Sequence, residues 1–328
     1  MIKQLSVIHS AGSDPVRNLA LESLLMDLVG PEEMILYLWQ NDRTIVIGKN
    51  QNLRKECELA RIEQDGIQIV RRSSGGGAVY HDLGNLNFSF IAHDDNYDVK
   101  RQTEILCSAL AQLGIEAAVS GRNDVLCQGR KVSGNAYYHH NGVSLHHGTL
   151  LIDTDMAAMK RYLRADEKKL RARGVDSIRS RVMNLKEVCP SLSVEDASAA
   201  IIRACEAFYE CAAEEIPMPD ETILHEKIMQ FGSAEWIRGK EVPFEEVKEH
   251  RFPWGGIRME FHVVHGIISD VSIWSDSMEP DTIDAAAASL TGCRYQTDEI
   301  CRRLMQLPDT MIRNDVTAWL QREEEDAV

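Results

Sequence analysis

No hydrophobic run in the 328-residue chain is long enough to cross a bilayer, and the opening Met1-Ile2-Lys3-Gln4-Leu5-Ser6 lacks the layout of a secretory signal. The expectation is a cytoplasmic protein with no membrane partner. The eight cysteines, Cys57, Cys107, Cys127, Cys189, Cys205, Cys211, Cys293 and Cys301, show no CxxC or other metal-ligand spacing. Several fall on apolar stripes, where a reduced thiol behaves as a small hydrophobe, so no disulfide framework is expected. There is no Walker loop, no G-x-G-x-x-G and no internal repeat or low-complexity tract, which removes the commonest nucleotide folds and solenoids. Positive charge is also short: 36 Lys and Arg face 51 Asp and Glu, for a net charge of −15. A phosphate polymer would meet a repulsive long-range field, so a nucleic-acid partner is excluded.

What is present suits a large domain followed by a smaller one, with boundaries expected at 1–245 and 246–328. A first helix begins at Ser13 or Asp14, has Pro15 in its first turn, and stops at Gly30 after an apolar face of Leu21, Leu24, Leu25 and Leu28. Strand-like runs occupy 34–39, 44–47, 67–70 and 86–92, with a helix-like stretch over 53–64 and an amphipathic helix over 99–113. Gln128-Gly129 reads as a hairpin turn that places Lys131 just beyond it; 145–152 is a further strand and 155–163 a short helix. Ser193 with Asp196 opens another helix, and 222–231 is helical. The second domain reads as a hairpin about His265-Gly266 followed by three helical stretches. Hairpin-linked strands with interspersed helices predict an α+β fold with a mixed or antiparallel sheet, plus a small α+β C-terminal domain.

Chemistry concentrates in Arg71-Arg72-Ser73-Ser74-Gly75-Gly76-Gly77-Ala78-Val79-Tyr80-His81-Asp82-Leu83-Gly84-Asn85. Three glycines allow the positive φ of a curled loop and let bare amides touch an anion, and two guanidinium groups suit the same guest. The loop is a nucleotide or carboxylate cradle, or a glycine-rich surface turn. Arg122, Arg130 and Lys131 add a local basic pocket to an acidic body, as a small anionic substrate requires.

Gly121-Arg122-Asn123-Asp124, Gly129-Arg130-Lys131-Val132-Ser133-Gly134-Asn135-Ala136 and His146-His147-Gly148-Thr149-Leu150-Leu151 follow the glycine loop in order. With it, and with Ser177-Ile178-Arg179-Ser180-Arg181-Val182 and Phe252-Pro253-Trp254-Gly255-Gly256, they make the chain resemble the lipoate-protein ligase A family in its long, single-chain form. The resemblance implies a biotin-ligase-like, class II synthetase-related catalytic domain and an accessory C-terminal domain. It implies two half-reactions: lipoate and ATP give lipoyl-AMP, and a lysine of an acceptor then displaces AMP. The acceptors would be lipoyl domains of 2-oxoacid dehydrogenase E2 subunits or the glycine-cleavage H protein.

Residue by residue, the resemblance makes Lys131 the catalytic lysine, in contact with both ATP and lipoate. A compact ammonium on a flexible stem can follow charge between a carboxylate and an α-phosphate. Arg72, Gly77, Ala78, Val79 and Tyr80 match positions that hold ATP, and Arg71, Gly75, Gly76, His81 and His147 are assigned to lipoate. Arg71 serves structure or phosphate; His81 shapes the acyl pocket or only bonds a backbone carbonyl. Asn123 and Asp124 reach nucleotide or Mg²⁺, with a loop-capping role as the alternative for Asp124. Leu19, Val46 and Val79 are candidates for an apolar slot. His139-His140 and His146-His147 are poor zinc geometry.

Two rivals follow. An octanoyl transferase would work through a cysteine thioester without ATP; Cys127 is near the motif but has no obvious base beside it. A non-catalytic lipoyl-domain scaffold would bind carrier proteins and form no AMP. The G-R-G-R-x-G-R type loop of biotin ligases is absent.

Overall fold

Asp14 accepts a hydrogen bond from the Arg17 N–H at 2.9 Å and Pro15 occupies the first turn, so α1 (Pro15–Leu28) starts where its capping residues predict. The computed structural model describes residues 1–121, 124–164, 182–239, 246–308 and 310–326. Arg122, Asn123 and the basic stretch carrying Lys168, Lys169, Arg171, Arg173, Arg179 and Arg181 lie outside the described residues.

The chain divides into two compact units. The first comprises Met1–Ile47, Leu53–Arg72 and Ala78–Ile237; the second comprises Arg238–Val328 with two short stretches from the other half, Gly48–Asn52 and Ser73–Gly77.

The first unit is built on an eight-stranded sheet. Its strands are β1 (Gln4–His9), β2 (Glu33–Trp39), β6 (Asn85–His93), β7 (Ala117–Ser120), β8 (Asp124–Cys127), β9 (Arg130–His140), β10 (Val143–Leu151) and β11 (Ala213–Glu215), in the order β11-β1-β2-β6-β10-β9-β8-β7. The β11–β1 and β1–β2 neighbours are parallel and the rest antiparallel, so the sheet is mixed, as the sequence predicts. A second small sheet joins β3 (Thr44–Ile47) to β4 (Gln68–Arg71) in parallel and to β5 (Val79–His81) antiparallel. Gln128 (φ 49°) and Gly129 (φ 74°) form the β8–β9 turn, and Asn141 (φ 51°) and Gly142 (φ 78°) the β9–β10 turn. Two consecutive left-handed residues match the right-handed twist of the flanking strands.

Alternation along β6 sets the layers. Leu86, Phe88 and Phe90 enter a core with Ile105 and Leu106 of α4 (Val99–Gln112) and Ala197 and Ile201 of α6 (Val194–Tyr209). On the other face, Ile91 joins Tyr37, Trp39, Leu145 and the α1 residues Leu21, Leu24 and Leu25. Leu86, Phe88 and Phe90 alternate with Asn87 and Ser89, the pattern of a strand with one wet face, yet Asn85, Asn87 and Ser89 are buried as well.

The expected helix over 53–64 is broken into α2 (Leu53–Glu56) and α3 (Leu59–Gln64). Cys57 bridges Leu163 and the Glu58 N–H donates to the Tyr162 carbonyl at 2.9 Å, so backbone pairing with the end of α5 (Met156–Tyr162) overrides helical continuity. In the first unit, α7 (Glu221–Phe231) and α8 (Ala234–Arg238) follow β11. In the second, an antiparallel sheet of β12 (Glu246–Phe252), β13 (Gly255–Val264) and β14 (Ile267–Ser275) packs Met259, Phe261 and Ile268 against α9 (Pro280–Leu290), α10 (Thr297–Leu304) and α11 (Met311–Asp326).

Candidate active site

The β8–β9 turn places Lys131 at the start of β9, where a bulge leaves Leu126 opposite Lys131 and Val125 opposite Ser133. The Lys131 Nζ lies 2.6 Å from Asp124 Oδ1 on β8, with both side chains only partly exposed. Glycine at 134 makes room for this fold-back: a Cβ there would sit 2.7 Å from Lys131 Nζ and 2.8 Å from its Cε. The Gly134 N–H donates to Thr149 Oγ1 of β10 at 3.3 Å. A Cβ on Gly148 would meet Phe88 Cζ at 2.5 Å and the Gly134 carbonyl at 2.8 Å, so the three strands close tightly beneath the lysine.

A buried polar network occupies the face of the sheet that carries α1. His147 Nδ1 contacts both carboxylate oxygens of Glu22, at 2.9 and 3.0 Å. The Ser89 hydroxyl donates to the same carboxylate and accepts from Trp39 Nε1 at 3.0 Å. His81 receives a hydrogen bond on Nδ1 from Asn41 Nδ2 at 3.3 Å, which leaves its proton on Nε2. Burial foremost, then the Arg72 charge and His147, pushes the His81 pKa down to about 3, so the ring is neutral. His146 faces the opposite side of the sheet among Phe88, Phe90 and Tyr137, with ring nitrogens 3.0 Å from Gln102 Oε1 and 2.9 Å from Asn135 Oδ1. Burial holds it near 3 as well.

Arg71, which ends β4, and Arg72, which follows it, are both buried. Arg72 Nη1 donates to the Val46 carbonyl at 3.2 Å; desolvation lowers its pKa to about 10, partly offset by Glu22. Arg71 Nε donates to the Trp236 carbonyl at 2.9 Å, its Nη2 to the Ile237 carbonyl at 2.9 Å, and Trp236 Nε1 returns a bond to the Arg71 carbonyl at 2.8 Å. Arg71 therefore braces the end of α8. In the second unit, two of the three loop glycines have a local reason to lack a Cβ and the third has none. At Gly75 it would fall 2.0 Å from the Ser277 carbonyl; Gly76 has φ 90° and donates its N–H to that carbonyl at 3.0 Å; at Gly77 a Cβ would meet nothing within 4 Å. Leu19 and Val46 lie in the first unit's α1-side core, and Val79 packs against it.

The Lipoyl protein ligase A/B catalytic domain model matches residues 14–206, more than half of the chain. The chain belongs to the lipoate-protein ligase A family. The Bacterial lipoate protein ligase C-terminus model matches residues 241–320 of the same ligase. P. falciparum LipL1, solved in complex with lipoate, is similar at 30% identity over 97% of this chain and 99% of that one, with a TM-score of 0.84. A bi-partite lipoate protein ligase from Thermoplasma acidophilum, studied with its E2 lipoyl domain, is 28% identical over 74% of this chain and 100% of that one, with a TM-score of 0.64. A lipoate-protein ligase A bound with ATP is 26% identical over 73% and 99%, again with a TM-score of 0.64. The catalytic unit is thus the lipoate-ligase fold, related to class II synthetases.

Within the ligase, Cys127 is buried in β8 and desolvation raises its thiol pKa, which makes it a poor nucleophile for a thioester route. His139 bonds Ser144 Oγ at 2.6 Å and His140 contacts Asn141 Nδ2 at 3.0 Å. Among the described residues no three His, Cys, Asp or Glu side chains are grouped to hold a metal. Asp124 is a single carboxylate held 2.6 Å from Lys131 Nζ, and Mg²⁺ is ordinarily bound by one or two carboxylates together with nucleotide phosphates. No helix of the described residues is long and apolar enough to cross a membrane.

Sequence reasoning missed Glu22, Trp39, Asn41, Asn85, Asn87 and Ser89. A signal existed for Glu22: with Asn18 it forms an i, i+4 polar pair on the otherwise apolar buried face of α1.

Proposed function

We propose that this ligase activates lipoate with ATP to lipoyl-AMP and transfers the lipoyl group to a lysine of an apo-lipoyl domain. The observation that carries the reading is the Lys131 ammonium, held at 2.6 Å by a carboxylate and folded over a glycine in the K-V-S-G segment. An ion pair this exposed is weak, so an incoming lipoate carboxylate and α-phosphate can take the ammonium from Asp124. Lys131 then neutralises charge as the carboxylate oxygen attacks phosphorus and pyrophosphate departs. Arg72, with Gly77, Ala78, Val79 and Tyr80, is assigned to ATP. Arg71, Gly75, Gly76, His81 and His147 are assigned to lipoate, with Glu22 and Trp39 added because they form one buried network with His147. A neutral His81 Nε2–H suits a donor to the uncharged acyl end of the intermediate. Mg²⁺ would accompany the nucleotide phosphates, and no step here depends on a protein ligand to it. The domains divide at 1–245 for catalysis and 246–328 for the accessory role.

In the second step the acceptor amine attacks the acyl carbon and AMP leaves. The T. acidophilum ligase studied with its E2 lipoyl domain supports such a domain as acceptor, and the glycine-cleavage H protein belongs to the same proposal. The test is purified protein with ATP, Mg²⁺, lipoate and a panel of apo-acceptors, read by intact mass and AMP release. Lys131→Ala should fold and lose about 10²- to 10³-fold in lipoyl-AMP formation. Near-normal pyrophosphate release by that variant, or acceptor labelling by the native protein without ATP, would overturn the reading.

A further inference from the structure

On the same sheet face as Glu22 and His147, Asn85 and Asn87 of β6 are 0% and 1% exposed. Asn85 Nδ2 donates to Asn87 Oδ1 at 2.9 Å, which fixes the Asn87 amide with its oxygen occupied. Among the described residues the Asn87 Nδ2 atom has no hydrogen-bond partner, although it is buried. A buried donor left unpaired carries a desolvation penalty, and a protein that keeps one generally has a guest for it.

The register says where that guest would lie. Asn87 is directly opposite Thr149 on β10, and Thr149 Oγ1 receives the Gly134 N–H of β9, beside the Lys131 ammonium. Paired residues on adjacent strands share a face, so Asn87 and Thr149 lie side by side, and the Gly134 N–H bond to the Thr149 hydroxyl extends the row onto β9 with Lys131 at its far end. Strands spaced about 4.8 Å apart put roughly 10 Å between the ends of that row, room for a reacting carboxyl carbon within contact of both side chains. Trp39, also paired with Asn87, walls the row on β2.

We propose that Asn87 is a catalytic residue whose Nδ2–H donates to the lipoyl carbonyl oxygen in both half-reactions, with Asn85 as the positioning residue that orients it. The inference rests on the ligase reading. In activation, one lipoate oxygen forms the bond to the α-phosphorus as the bond to pyrophosphate breaks, while Asn87 holds the other oxygen. In transfer, the acceptor nitrogen forms the C–N bond and the carbonyl π pair moves onto the oxygen facing Asn87. That pair returns as the acyl C–O bond to phosphate breaks; AMP leaves with its bonding electrons and the amine proton goes to the AMP phosphate. Lys131 meets the charge on the phosphate side and Asn87 the charge on the acyl side.

The test is Asn87→Ala and the shape-conserving Asn87→Asp, assayed for lipoate-dependent ATP–pyrophosphate exchange, for single-turnover transfer from synthetic lipoyl-AMP to an apo-lipoyl domain, and for melting temperature. The expected result is a fall of about 10²- to 10³-fold in both rates with lipoyl-AMP affinity within tenfold of native; Asn87→Ala removes one unpaired donor but leaves Asn85 Nδ2 without its acceptor, so its melting temperature should fall by a few degrees only. Asn85→Ala should give a smaller loss in kcat. Should Asn87→Ala fail to fold, the Asp variant carries the test, with the same loss expected. Rates within threefold of native in a folded variant, or a raised KM for lipoate with unchanged kcat, would overturn the proposal. If the native protein itself forms no lipoyl-AMP, the ligase reading falls, and this inference with it.

Discussion

Gly134→Ala is the smallest change that should separate the position of Lys131 from its presence. The added methyl would lie 2.7 Å from Nζ and 2.8 Å from Cε, where ordinary carbon contacts begin near 3.4 Å. The obstacle is the end of a flexible side chain, so the backbone stays and the ammonium moves by about 1 Å. That displacement opens the 2.6 Å contact with Asp124. The pair is partly exposed, so its loss should cost no more than about 1 kcal/mol of stability, a shift in melting temperature of a few degrees. The catalytic effect is larger, because a misplacement of about 1 Å is worth on the order of 10²-fold. Two other glycines act as controls. Gly148→Ala collides with the buried Phe88 ring and with backbone, so it should destabilise by about 1–3 kcal/mol or prevent folding. Gly77→Ala meets nothing within 4 Å and has no positive φ, so it should melt like the native protein, and any loss of activity would report a ligand at that position. The assay is lipoate-dependent pyrophosphate exchange alongside thermal melting. A folded Gly134→Ala with exchange within threefold of native would refute the claim that the fold-back over Gly134 sets the lysine.

The buried neutral histidines predict an acid-sensitive fold. With folded pKa values near 3 for His81 and His146 against about 6.5 unfolded, the unfolded chain takes up protons first as pH falls below 6.5. Each site should remove about 2 kcal/mol by pH 5, and a melting temperature that stays flat between pH 7 and 5 would contradict it. Cys127→Ser should keep full ATP-dependent ligation, measured by intact mass of the acceptor, because the thiol is buried and its pKa is raised. Phe88→Ala should destabilise by about 3–5 kcal/mol in urea unfolding, and combining it with Gly148→Ala should cost less than the sum, since both act on one contact.

Local signals carried much of the architecture. Asp14-Pro15 starts α1, Gln128-Gly129 turns into β9 and His265-Gly266 (φ 51° and 77°) turns β13 into β14, each by a rule that acts within a few residues. Elements that depend on distant partners were not legible. Strand β1 pairs with β2 and with β11, more than 200 residues away, and β7 is a four-residue edge strand with mostly exposed side chains. β12 reads as charged, Glu246-Val247-Lys248-Glu249-His250-Arg251-Phe252, because only its register against β13 makes it a strand. The break at Cys57 likewise comes from the Leu163 backbone.

The site was legible only where a motif names its own chemistry. Lys131 and the glycine loop were visible as pattern; the polar side of β6 was not, because alternation cannot distinguish a face turned to water from one turned to a buried slot. Asn85, Asn87 and Ser89 obey the same period as a solvated face, yet α1 and the β3-β4-β5 sheet cover that side of the first unit. Burying Glu22, His81, His147 and two asparagines there opposes folding wherever a partner is missing. Phe88, Phe90 and the helices on the opposite face supply compensating apolar burial. The α1 face carries its own apolar core of Ile35, Tyr37, Ile91 and Leu145 with the α1 leucines, so the polar groups form an island inside a buried layer. The polar atoms that have no partner among the described residues, His81 Nε2, Asn85 Oδ1 and Asn87 Nδ2, mark where a ligand would stabilise the fold. Lipoyl-AMP should accordingly raise the melting temperature of the native protein, and should raise that of Asn87→Ala by less if that amide is one of its partners.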